Sequence, residues 1–145
     1  MIGIVVITHG QLARELVSSA EMIVGEIPNV IAVSIGWHDS PEDAQKEIRE
    51  AIERVEKGNG SVLLTDMFGG TPSNLSLPFL EKDRVEVVTG VNLPMLIKLV
   101  SLREQGSSSL LEVARQTCSQ GKESIYQASD LLSAKVKKED PGATE

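Results

Sequence analysis

Residues 4–10 read "IVVITHG". The run from Ile2 to Ile7 is continuously apolar, of strand length and rich in β-branched side chains, the pattern of a strand buried on both faces. It stops on Thr8, His9 and Gly10, and histidine is the side chain whose unperturbed charge change falls nearest neutral pH. A helix follows over Gln11–Val24, with Leu12, Leu16, Ala20 and Ile23 at helical spacing and Gly25 as its stop.

The same alternation repeats along the chain. "NVIAVSI" (29–35) reads as a second strand. The next helix has Ser40 as N-cap, Pro41 in its first turn, a stripe of Ala44, Ile48, Ile52 and Val55, and Gly58 beyond its end. "SVLLT" (61–65) is a third strand. A short helix begins near Pro72 and is ended or kinked by Pro78. "VEVVTG" (85–90) is a fourth strand, and a helix capped near Asn92 follows it. Residues 109–132 read as mostly helical, with Gly121 a candidate interruption. Strands alternating with helices predict a single α/β domain over 1–132, an open, mainly parallel sheet of four strands with helices on both faces. Residues 133–145 read as a polar tail expected to fray.

Composition narrows the function. The chain of 145 residues carries a formal net charge of −7, which opposes nucleic acid and anionic membrane surfaces. Aromatic residues make up 3 % of the sequence, too few for a base-stacking or sugar-stacking platform. With one cysteine, Cys118, no intrachain disulfide is available, and two histidines far from it do not make a zinc site; Cys118 reads as buried packing. The start, "MIGIVVITHG", shows no secretory leader, so a cytoplasmic protein is expected. No P-loop and no "GxGxxG" is present, so no cradle for a nucleoside triphosphate is expected and no cofactor or metal is implied.

In an open parallel sheet, ligands bind beyond the carboxyl ends of the strands, where the winding direction reverses. "THG", "GWHDS", "DMFGGTPSN" and "TGVNLP" follow those ends. His9 is the foremost candidate, because a neutral imidazole attacks through one nitrogen while the other is held by a hydrogen bond. Asp66 is the natural orienting acceptor. Taken singly, His9 caps a strand and Asp66 starts a turn; together on one sheet edge they point to nucleophilic chemistry. In "GGTPSN", the backbone of Gly69 and Gly70, the start of the following helix and the hydroxyls of Thr71 and Ser73 suit a phosphoryl group or a carboxylate. The same residues are also an ordinary helix start. His38 reads as a rim residue, Asp39 and Ser40 as the opening of a helix, and Trp37 as partial cover for the core.

"GIVVITHGQLARELVSSAEMIVGE", "LLTDMFGGTPSN" and "VVTGVNLPML" together resemble the enzyme IIA component of the mannose family of the bacterial sugar phosphotransferase system. The likeness runs from residue 2 to about 125, in the family's order and spacing. It implies a phosphotransferase that acts as a phosphohistidine carrier, with His9 phosphorylated on Nε2 by the phosphocarrier protein HPr, Asp66 holding Nδ1, and Thr65 with Gly69, Gly70, Thr71 and Ser73 around the phosphate. Gly10, Trp37, His38 and Asn92 would form the partner-facing rim. The phosphoryl group would pass to a IIB component serving a membrane permease, which the domain meets only indirectly. The resemblance also implies a homodimer with an exchanged, antiparallel fifth strand, for which 125–132, "IYQASDLL", is the candidate. A regulatory phosphorylation module, the phosphotransfer subunit of a dihydroxyacetone kinase and a non-phosphorylated anion-binding domain remain as alternative functions.

Overall fold

The computed structural model describes residues 1–139. Four strands, β1 (Gly3–His9), β2 (Val30–Ile35), β3 (Ser61–Thr65) and β4 (Val85–Thr89), form one sheet in the order β2-β1-β3-β4. Every adjacent pair is parallel, with Ile7 opposite both Val33 and Thr65. The chain winds from β1 to β2 in one direction and returns through β3 to β4 in the other. The switch point therefore lies between the carboxyl ends of β1 and β3, where His9 and Asp66 sit.

Alternation along β1 divides the core into two layers. Ile4 and Val6 pack with α1 (Leu12–Val24), α4 (Leu93–Gln105) and α5 (Leu110–Glu123), through Ala13, Ala20, Leu96, Leu99 and Val113. Val5 and Ile7 face α2 (Pro41–Val55), through Ala44, Ile48, Ala51 and Val55. Because both faces are covered, the central strands β1 and β3 are near-continuous hydrophobic runs.

Capping follows the sequence closely. The Ser40 hydroxyl accepts from the Asp43 N–H at 3.1 Å and starts α2, with Pro41 in its first turn. The Asn92 side-chain oxygen accepts from the Met95 N–H at 3.0 Å and starts α4. The short helix α3 (Thr71–Ser76) passes into a 3-10 turn at Leu77–Phe79, where Pro78 prevents its continuation.

Several expectations are corrected. In α1 the buried face is Ala13 and Ala20 with Leu16 and Val17 beside them, whereas Leu12 and Ile23 are exposed. The helix turns its small residues to the sheet, and a hydrogen bond from the Ala13 N–H to Thr8 holds the first turn in that orientation. Gly121 does not interrupt α5, where its missing side chain makes room for Met95 of α4. Trp37 covers no core and is fully exposed.

In the single chain, residues 125–132 form no strand. Residues from Ala128 onward form α6 (Ala128–Glu139). In the single chain a helix satisfies its backbone groups internally, which a strand without a paired edge cannot do. Of the tail expected from residue 133, residues up to Glu139 belong to α6, and 140–145 lie outside the described residues.

Candidate functional site

His9 ends β1 and Asp66 directly follows β3, on adjacent strands. One carboxylate oxygen of Asp66, Oδ2, meets His9 twice: the imidazole Nδ1 lies 2.7 Å away and the backbone N–H donates to it at 2.9 Å. The other oxygen accepts from the Met67 N–H at 3.0 Å. A carboxylate ionised at neutral pH accepts only, so Nδ1 carries the proton, and in the neutral ring the lone pair is then on Nε2. Burial pushes the Asp66 carboxyl up, but the hydrogen bonds from the His9 backbone and ring, the charge of that ring and the Met67 N–H outweigh it. The net result lies below the ordinary carboxylate value of 3.8. The carboxylate side chain is 13 % exposed and the imidazole 52 %, so the carboxylate is sheltered while the ring stays open to solvent.

The turn after β1 is tied on both sides. Gly10 adopts φ +56°, which glycine tolerates without strain, and its N–H donates to the Ile35 carbonyl at 3.0 Å. On the other side of His9, the buried Thr8 hydroxyl accepts from the Ala13 N–H at 2.7 Å and donates to the His9 carbonyl at 3.1 Å. The loop after β3 brings Gly70 against the ring, where a Cβ would stand 3.0 Å from His9 Cε1 and 3.7 Å from Nε2. Its backbone is ordinary and extended, at φ −82° and ψ 169°, so close approach and not conformational freedom calls for glycine here.

A cleft of about 530 Å³ opens beside His9, lined by Gly10, Ile35, Trp37, Thr71 and Leu75 among others. Thr71 is thus the hydroxyl of "GGTPSN" that lines the cleft. Thr65 and Ser73 are fully buried, and neither hydroxyl has a hydrogen-bond partner among the described residues. Gly69 is exposed, and its carbonyl accepts from the Asn74 side chain at 3.3 Å. Because α3 has six residues, the dipole available at its start is small.

Of the expected rim, Gly10 and Trp37 line the cleft, while His38 is exposed without doing so. Asn92 is committed elsewhere: besides capping α4, its amide nitrogen donates to the Gly121 carbonyl at 3.1 Å. Asp39 holds the turn before α2 by accepting from the Gly36 N–H at 2.6 Å. Sequence reasoning missed Thr8, read only as part of the strand end, and the apolar pair Met67 and Phe68, which are 57 % and 73 % exposed after Asp66. Two consecutive large apolar residues in a glycine-rich loop were the available signal. Among the described residues, no group of three or more His, Cys, Asp or Glu side chains is arranged to hold a metal ion.

The EIIA-man family, described as "PTS system fructose IIA component", matches residues 3–117. The chain belongs to this family of IIA components of the sugar phosphotransferase system. The IIA chain is 35 % identical over 105 residues to the "PTS system fructose-specific EIIA component" of Bacillus subtilis, covering 72 % of each protein. It is 32 % identical over 123 residues to the "PTS system mannose-specific EIIAB component" of Escherichia coli, covering 83 % of this chain and 38 % of that longer protein. Among solved structures, it superposes on the phosphotransferase EIIA component from Streptococcus agalactiae with a TM-score of 0.80 at 25 % identity, over 90 % of this chain and 99 % of the other. A IIA protein associated with the fucose utilization operon of Streptococcus pneumoniae gives 0.78 at 28 % identity, over 90 % and 95 %. As a IIA component of the mannose family, the protein takes part in phosphotransfer for sugar uptake. Among the described residues, no helix is long and apolar enough to cross a membrane.

Proposed function

We propose that the chain is a cytoplasmic phosphohistidine carrier that accepts a phosphoryl group from HPr on Nε2 of His9 and passes it to a IIB component. The observation that carries this reading is the Asp66 carboxylate on Nδ1 at 2.7 Å, which leaves Nε2 as the free nucleophilic nitrogen beside an open cleft. In the transfer, the Nε2 lone pair forms the new N–P bond. The donor ring leaves with the electron pair of the broken one. Positive charge that builds on the His9 ring is offset by Asp66, and the transfer needs positioning more than covalent assistance.

Direct contact with the phosphoryl oxygens is assigned to Thr71 and the backbone of Gly69 and Gly70. Thr65 and Ser73, whose buried hydroxyls have no partner among the described residues, are assigned a supporting role behind that loop. The exposed Trp37, Met67 and Phe68 suit an apolar patch on the donor and acceptor proteins, docking around the half-exposed imidazole. Exposed Ile125, Tyr126, Leu131 and Leu132 support a homodimer.

Intact-mass analysis after incubation with phosphoenolpyruvate, enzyme I and HPr tests the reading. One acid-labile phosphate is expected on the natural chain and none on His9→Ala, whose circular dichroism should be unchanged because the side chain is half exposed at a strand end. Absence of phosphate on the natural chain beside an active donor relay, or its presence on His9→Ala, overturns the assignment.

A further inference from the structure

We propose that Thr8 is a positioning residue for phosphoryl transfer, its hydroxyl setting the direction in which the His9 ring meets Asp66. The inference rests on the phosphocarrier reading above. Thr8 is fully buried on the α1 side of β1, and its single hydroxyl is used in both directions, accepting from the Ala13 N–H at 2.7 Å and donating to the His9 carbonyl at 3.1 Å.

The cap position of α1, Gln11, makes no side-chain cap hydrogen bond. Thr8 satisfies an N–H at the start of the helix from three residues further upstream. Ala13 is itself fully buried, so water does not replace the hydroxyl there. The segment His9–Gly10–Gln11 is therefore spanned by one side chain that ties the strand end to the first helical turn.

That tie bears on the chemistry because Asp66 Oδ2 receives both the backbone N–H and the ring Nδ1 of His9. The two hydrogen bonds converge on one oxygen only for a narrow range of His9 backbone orientations. A hydroxyl that holds the His9 carbonyl on one side of the residue also fixes the backbone from which the ring projects. Loss of the hydroxyl leaves the His9–Gly10 peptide held by the Gly10 N–H on the Ile35 carbonyl alone, so it tilts more easily, the Nδ1–Oδ2 contact lengthens, and the preference for the Nδ1–H tautomer weakens. Displacements well under 1 Å are enough to slow a transfer that depends on alignment.

The test compares Thr8→Val, which keeps shape and removes the hydroxyl, with Thr8→Ser, which keeps the hydroxyl. Long-range ¹H–¹⁵N correlation spectra of the imidazole report the His9 tautomer without any phosphorylation. Single-turnover transfer from phosphorylated HPr reports the rate. Thr8→Val is expected to show a mixed tautomer and a rate lowered about tenfold, with the phosphorylated fraction at completion unchanged. Thr8→Ser is expected to restore both. A folded Thr8→Val protein with the natural tautomer and the natural rate overturns the proposal, as does a Thr8→Ser protein as impaired as Thr8→Val. If Thr8→Val does not fold, Thr8→Cys decides, its weak thiol being expected to give an intermediate tautomer mixture; a natural spectrum there counts against Thr8. Failure of the natural chain to accept phosphate would overturn the carrier reading but leave the tautomer measurement intact, so the two failures are distinguishable.

Discussion

The two ends of the sheet treat a charged or titratable side chain in opposite ways. At the carboxyl end, His9 stands half exposed with one ring nitrogen held by a sheltered carboxylate and the other free. At the amino end, Arg103 from α4 is 6 % exposed and pairs with no carboxylate among the described residues. Its guanidinium donates to the Ile2 carbonyl at 2.9 Å, to the Asn29 carbonyl at 3.3 Å and to the Pro28 carbonyl. Burial pushes the guanidinium below its ordinary value, and the nearby Glu104 charge only partly counters this. Arg103 clamps the start of β1 to the segment leading into β2, whereas His9 is held through Nδ1 and not through Nε2. The contrast lies in what each side chain is tied to: among the described residues the guanidinium hydrogen bonds go to backbone carbonyls, while the imidazole is held through one nitrogen only.

Three substitutions would break or sharpen that contrast. Asp66→Asn should slow transfer to His9 by about 10- to 100-fold, the range seen when an outer partner that orients a working imidazole is lost. The neutral amide no longer selects the Nδ1–H tautomer, since it presents either an oxygen or an NH₂ group to the ring. Stopped transfer assays at equal folded concentration check this, and a natural rate would remove the orienting role from Asp66. The same variant carries a pH signature. Because the folded-state value of Asp66 lies below 3.8, the ionised carboxylate stabilises the fold above that pH, and its contribution is lost as the pH falls from 3.8 through the lowered value. Asp66→Asn should lack this part of the acid limb in a series of urea melts.

At the opposite end, Arg103→Met should reverse the pattern. The carbonyls of Ile2 and Pro28 lose a donor in a buried setting, and a loss of about 3 kcal/mol in unfolding free energy is expected. The transfer rate should stay natural at temperatures where the variant is folded. A slowed transfer in that folded range would mean that the two ends are coupled through β1. The smallest effect is expected for Gly70→Ala, whose Cβ would stand 3.0 Å from His9 Cε1 and push the ring by a few tenths of an ångström. A several-fold slower transfer, with an unchanged melting temperature, is the expected result.

Much of this arrangement was legible beforehand, and the residues show why. The parallel sheet followed from doubly buried runs such as "SVLLT", whose strand bounds match the structure. Ser40 and Asn92 announced their helices because capping is a local matter of one side chain and an N–H three residues on. The α1 stripe was misread because Leu12 and Ile23 satisfy helical spacing as well as Ala13 and Ala20 do, and only packing against the sheet chooses between them. Trp37 was misread for a related reason: hydrophobicity favours burial, yet its place in the turn after β2 leaves the side chain fully exposed beside the cleft. In the single chain α6 stands where a strand was expected, since the pattern of 125–132 fits either period and a helix satisfies its backbone groups without a partner.

By itself the sequence determined the alternation of strands and helices, the helix starts, and the gathering of His9, Asp66 and the glycine-rich loop at one edge of one sheet. These depend on residue type and spacing along the chain, with crossovers that wind in one hand. Only the tertiary structure decided that β1 and β3 are neighbours, that one carboxylate oxygen holds both the backbone and the ring of His9, and that Thr8 ties that turn to α1. Those contacts join residues from different elements at hydrogen-bond distance, and their geometry is set by how the two core layers pack on the sheet.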